Sequence, residues 1–145
     1  MNASTAGSST SPSEKSRAEA VKLRILVADD NQDSASSLAV LLELMGYEVR
    51  AVHDGLAAVD AATSFRPGVM LLDLGMPRLD GYEVCRTVRG QPWGRDVVII
   101  ALTGWSQDED RRRTQDAGFD HHLVKPVQPA ALGKLLEGLE ARPAG

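Results

Sequence analysis

Residues 23–31 read LRILVADDN, an aliphatic run broken only by Arg24 that stops on two adjacent acids and an asparagine. The run is too short for a helix and does not alternate, which is the pattern of a strand buried on both faces. Residues 69–72 (VMLL), closed by Asp73, and residues 97–102 (VVIIAL), closed by Thr103, repeat it. Shorter strands are expected at Glu48–Val52 and at His121–Val124, the latter closed by Lys125 and Pro126. Between them Leu38, Leu41, Leu42 and Met45 fall at i, i+3, i+4 and i+7, with Gly46 following as a C-terminal stop. Leu132, Leu135, Leu136 and Leu139 repeat that spacing, and weaker helices are expected over residues 56–63, 82–88 and 107–117. Five strands alternating with five helices predict one α/β sandwich. Its parallel sheet would gather the acids and the lysine at strand ends along one edge, where such folds place their sites.

The length suits that count, because about 125 residues beyond the N-terminal segment is near the commonest domain size. A formal net charge of -4 gives no electrostatic footprint for nucleic acid or an anionic membrane. The single cysteine, Cys85, excludes an internal disulfide and suits a reducing compartment. It shares the expected apolar face of the third helix with Val84 and Val88, so it reads as a packed thiol rather than a nucleophile. No apolar run is long enough to span a bilayer and no signal-peptide pattern opens the chain, so a cytoplasmic location without membrane insertion is expected. Residues 1–20 are dominated by Ser, Thr, Ala and charges and read as a flexible tail, with residues 21–140 as the one domain and 141–145 as a short end.

Taken singly, each candidate has a plain structural reading. Asp30 or Asn31 would cap the following helix, Asp73 would begin a turn ahead of Pro77, Asp80-Gly81 is a common turn pair, and Lys125 is a surface lysine. Their coincidence at one sheet edge changes the balance. Three carboxylates there repel one another unless a cation and a counter-charge are present, and a Mg²⁺ site is the economical explanation.

With these residues in view, the chain resembles the receiver domain of two-component response regulators. The resemblance rests on VADDN (27–31), LLDLGMP (71–77) with RLDGYEV (78–84), ALTG (101–104), Ala117-Gly118 and HLVKP (122–126), and runs over residues 23–139. It implies a flavodoxin-like (βα)₅ three-layer sandwich with a five-stranded parallel sheet. It also implies that Asp73 is the phosphoacceptor, that Asp30 holds Mg²⁺ directly and Asp29 through water, and that the Gly75 backbone carbonyl completes the protein ligands. Lys125 would pair with the phosphoryl oxygens through a cis Lys125-Pro126 bond, and Thr103 would donate its hydroxyl. The phosphodonor would be a sensor histidine kinase or a histidine phosphotransfer protein, and a downstream protein would read the surface formed by residues 107–139. The chain would be no enzyme beyond its own phosphorylation and dephosphorylation.

Departures from the commonest receiver pattern carry information. The switch position three residues before the lysine, Tyr or Phe in many receivers, is His122 here; its neighbour His121 should point to the opposite face. By the resemblance, His122 swings inward when Thr103 moves toward the phosphoryl group, and small Gly104 leaves room for it. Gly75 adds no side chain to the pocket, Trp105 should sit near its mouth, and Trp93 should lie away from it. The helix over residues 107–117 has almost no apolar stripe. The start at Met1 favours a stand-alone regulator without an output domain, whereas HHLVKP and Gly75 look like receivers appended to hybrid sensor kinases. A Mg²⁺-dependent phosphohydrolase of the haloacid dehalogenase type would need a second acid two residues after its nucleophile on the first strand, and a cap. Here the acids are adjacent and the chain is too short for a cap.

Overall fold

The computed structural model describes residues 23–104 and 108–140. The expected tails at 1–20 and 141–145, and Trp105, lie outside the described residues.

Strands β1 (Arg24–Ala28), β2 (Glu48–Val52), β3 (Val69–Asp73), β4 (Val98–Thr103) and β5 (His121–Val124) alternate with helices α1 (Gln32–Leu44), α2 (Gly55–Phe65), α3 (Gly81–Arg89), α4 (Asp108–Ala117) and α5 (Pro129–Glu140). All strands are parallel, in the order β2-β1-β3-β4-β5. The flavodoxin-like sandwich expected from the sequence is therefore the fold. β1, β3 and β4 are the uninterrupted runs because both their faces are covered. Ile25, Val27, Leu71, Ile100 and Leu102 pack against Leu38 and Leu42 of α1 and Leu132 and Leu136 of α5. Leu26, Met70, Leu72, Ile99 and Ala101 pack against α2, α3 and α4 through Ala58, Ala62, Phe65, Val84, Cys85, Val88 and Ala117.

Local details refine the expected elements. Asp73 and Thr103, read as residues just beyond strands, are the last residues of β3 and β4. Met45 was expected on the apolar stripe of α1, but the helix ends at Leu44 and Met45 is 38% exposed. Asp80-Gly81 is not a simple turn. Asp80 caps α3 by accepting from the Glu83 N–H at 3.0 Å, and Glu83 answers by accepting from the Asp80 N–H at 3.2 Å. Trp93 lies in a 3₁₀ turn (Pro92–Gly94) at the opposite end of β4 from Thr103, partly buried, with the Arg66 guanidinium 4.8 Å from its ring centroid. α4 compensates for its missing stripe by burying Thr114 and Ala117 and by setting Arg113 4.2 Å from the Tyr82 ring centroid on α3.

Cys85 is fully buried, and burial pushes its thiol up to about 11, so it is protonated and packed at neutral pH. No helix among the described residues is long and apolar enough to cross a membrane.

Candidate functional site

The carboxyl ends of β1, β3 and β5 converge as the strand order requires, since β1 neighbours β3 and β4 separates β3 from β5. Carboxylate oxygens of Asp29, Asp30 and Asp73 all lie within 4.8 Å of one another. Lys125 Nζ closes the group, 3.0 Å from Asp29 Oδ2 and 3.4 Å from Asp73 Oδ2.

Each member is held by its own element. Asp29 is 2% exposed, and its Oδ1 accepts from the Asn31 N–H at 3.0 Å. Asn31 in turn caps α1 by accepting from the Ser34 N–H, so the cap and the acid pair are fixed by one turn. Asp30 is exposed. Asp73 Oδ1 accepts from the Gly75 N–H at 3.3 Å, leaving Oδ2 toward the lysine. The intervening backbone N–H, on Leu74, donates to the Leu102 carbonyl at 3.2 Å and ties the loop to β4. Helix α3 begins against this point: a Cβ on Gly81 would lie 2.7 Å from the Asp73 carbonyl oxygen, so only glycine lets the helix start there.

The Lys125 N–H donates to the Thr103 carbonyl at 2.7 Å, which ties the lysine to β4, and its bond to Pro126 is cis. Burial works against its charge. Hydrogen bonding to Asp29, the charges of Asp73 and Asp29, and the bond to Asp73 outweigh that and hold the ammonium above the ordinary lysine value. Thr103 is buried, 5% exposed, at the end of β4. His122 pairs in register with Ala101, two residues before Thr103, so His122 and Thr103 share the face covered by α2, α3 and α4. His121 pairs with Ile100, on the face covered by α1 and α5. Open space surrounds Gly75 and Gly104, where an added Cβ would meet nothing within 4 Å.

The structure thus brings Asp29, Asp30, Asp73 and Lys125 into one cluster and sets Thr103 on the adjoining strand. Two nearby residues were missed from the sequence: His53, whose ring meets the Asp29 carbonyl, and Gly55, which meets the loop after Asp73. Their only sequence signal is the Asp54-Gly55 pair opening an apolar helical stretch.

A chain with three clustered carboxylates beside a lysine, on the carboxyl edge of a 2-1-3-4-5 sheet, is matched by a family model. The response regulator receiver domain model covers residues 25–137. The chain belongs to that family. This receiver domain is 43% identical over 121 residues to response regulator MprA of Mycobacterium tuberculosis, a match covering 83% of the chain and 50% of that protein. The chain therefore spans about half the length of the curated relatives it matches. Among solved structures, the receiver domain resembles that of sensor histidine kinase PA1611 from Pseudomonas aeruginosa, which has a magnesium ion coordinated in its active site cleft. That likeness has a TM-score of 0.75 at 36% identity and covers 81% of this chain and 97% of the other. Chemotaxis protein CheY4 of Vibrio cholerae gives a TM-score of 0.78 at 30% identity, covering 81% of this chain and 98% of that one.

Proposed function

We propose that this receiver domain accepts a phosphoryl group on Asp73 from a histidine-bearing donor, a sensor histidine kinase or a histidine phosphotransfer protein, and passes the change to a protein-binding surface. The observation that carries the reading is the placement of Lys125, with one ammonium against both Asp29 and Asp73 inside a cluster of three acids.

The donor set fits a hard divalent cation, because it offers carboxylate oxygens, one acid is exposed, and the acids stand too close together to be left without counter-charge. Asp30, Asp29 and Asp73 would hold Mg²⁺, with the Gly75 carbonyl as the remaining protein ligand. When bound, Mg²⁺ supplies positive charge that offsets the acids and the incoming phosphoryl oxygens.

The chain's own residues do the rest. Asp73 supplies the attacking carboxylate oxygen; the new O–P bond forms as the donor's P–N bond breaks, and the imidazole leaves with the electron pair. The Gly75 N–H orients the carboxylate by holding Oδ1. Lys125 stabilises negative charge on the transferred group, and the Thr103 hydroxyl donates to it. Loss of the lysine from Asp29 and Asp73 to phosphoryl oxygens would move the start of the β5–α5 connection, and movement of Thr103 would act on His122 and α4. Partners would read the outcome on residues 107–139. In this reading the domain turns over no external substrate beyond its donor, and its product is its own phosphoaspartate.

Incubation with Mg²⁺ and acetyl phosphate, followed by intact-mass measurement, tests this. Wild type is expected to gain one phosphoryl group and Asp73→Asn none. Labelling of Asp73→Asn at Asp29 or Asp30 would overturn the assignment of acceptor and ligands.

A further inference from the structure

We infer that the turn His53-Asp54-Gly55, between β2 and α2, is a positioning element for the phosphoryl site, bracing the acid pair on one side and the loop after Asp73 on the other. The inference rests on reading Asp29, Asp30 and Asp73 as the cation and phosphoryl site.

On the acid side, the main chain of Asp29 is gripped at both ends, by the last residue of β2 and by the residue after it. Its N–H donates to the Val52 carbonyl at 3.1 Å, and its carbonyl lies 3.1 Å from His53 Nδ1. A carbonyl oxygen only accepts, so Nδ1 carries the proton and donates. The bonded oxygen belongs to the peptide linking Asp29 to Asp30. Holding that peptide plane fixes the direction in which the exposed Asp30 carboxylate leaves the chain relative to the buried Asp29. The Asp29 carboxylate is held separately, by the Asn31 N–H and Lys125. His53 is therefore the side chain that sets the angle between the two acids.

On the other side the same turn presses on the segment between β3 and α3. A Cβ on Gly55 would lie 1.8 Å from the Leu79 carbonyl oxygen, so α2 begins in van der Waals contact with that loop. The Gly55 N–H points to the Pro77 carbonyl at 3.5 Å. Asp54 caps α2 by accepting from the Ala57 N–H at 2.8 Å, while its other oxygen lies 4.0 Å from Arg78 Nε. Three consecutive residues thus touch both chain segments that carry acids. A ligand set spread over two strands needs such a cross-brace, because misplacement of a donor by a fraction of an ångström weakens a hard-cation site.

The test titrates Mg²⁺ alone into the unphosphorylated full chain by calorimetry, comparing wild type, His53→Leu and His53→Gln. Loss of one orienting hydrogen bond predicts binding weaker by roughly three- to tenfold in His53→Leu. His53→Gln, whose amide N–H can reach the same carbonyl, should stay within about twofold of wild type. Equal Mg²⁺ affinity in wild type and His53→Leu, whatever the change in melting temperature, would overturn the inference. A second measurement needs no variant. In wild type, nitrogen-edited NMR should show a slowly exchanging Nδ1 proton on His53 whose resonance moves on Mg²⁺ saturation, and a ring indifferent to Mg²⁺ would overturn the positioning role. Failure of the underlying site looks different, because wild type itself would then take up no Mg²⁺.

Discussion

Lys125 Nζ stands 3.0 Å from Asp29 Oδ2 and 3.4 Å from Asp73 Oδ2, two of the acids that would hold a cation. A divalent ion held by the same carboxylates would compete with the ammonium, and the two like charges would repel each other. Lys125→Met is expected to bind Mg²⁺ more tightly than wild type, by about tenfold, while losing stability in metal-free buffer because three acids then face each other without a counter-charge. Unchanged Mg²⁺ affinity by calorimetry would remove the competition.

The pH dependence of that pairing follows from its direction. The Lys125 pKa is raised in the folded protein, so its stabilisation is fully present below the ordinary lysine value of about 10.4 and is lost as pH rises through the higher folded value. The stability difference between wild type and Lys125→Met should therefore be flat from neutral pH to about 10 and shrink only above it. Denaturant melts across that range check it; a difference already fading near pH 8 would contradict the raised value.

Arg78 adopts φ 71°, a left-handed conformation that costs a residue with a Cβ, in the loop after Asp73. Its 4.0 Å pairing with Asp54 is exposed and worth little. Arg78→Gly should stabilise the fold by about 1 kcal/mol. Arg66 offers a control, since it too is left-handed at φ 52° but also stacks on Trp93 and donates to the Thr63 carbonyl at 2.7 Å. Arg66→Gly should gain nothing, and equal gains from both substitutions in urea melts would show that backbone strain alone governs.

Arg89 ties several segments together at the far end of the sheet. Its guanidinium donates to the carbonyls of Gly118, Gly94 and Val97 and to Asp120 Oδ2 at 2.6 Å, and that same oxygen accepts from the Ile99 N–H at 2.9 Å. One planar fork thus joins the end of α3, the approach to β4 and the turn before β5. Arg89→Lys keeps the charge but not the fork, and should cost about 2 kcal/mol or more. A Lys variant as stable as wild type would mean that the charge, not the geometry, holds the knot.

The strands and the cluster of acids and lysine were legible because both are local signals at strand ends. Buried parallel strands announce themselves as short aliphatic runs, and Asp29, Asp73 and Lys125 each follow directly on one or close it. Asp80 was read as a turn residue because Asp-Gly suits a turn and a cap equally until Glu83 is weighed with it. Arg89 and His53 were illegible for another reason. Their partners are distant in sequence, and nothing at residue 89 or 53 says that Gly118 or the Asp29 carbonyl will be adjacent. The charged helix over 108–117 was legible as weakly apolar, but not the Arg113–Tyr82 contact that docks it.

His122 and His121 make an internal pair of probes for the switch. His122 shares a sheet face with Thr103, and His121 lies on the other face beside Ile100. If Thr103 moves when a phosphoryl group arrives, the side chain that feels the vacated or filled space is the one on its own face. Saturation with Mg²⁺ and beryllofluoride should therefore shift the His122 ring resonances and leave those of His121 nearly in place. Thr103→Ser keeps the hydroxyl and should preserve the shift, whereas Thr103→Ala removes the group that follows the phosphoryl oxygen and should abolish it, with binding of the mimic retained through Asp73 and Lys125. Equal shifts at both histidines would point to a rigid movement of β5. A His122 shift that survives Thr103→Ala would instead route the coupling through Lys125, whose N–H already holds the Thr103 carbonyl at 2.7 Å.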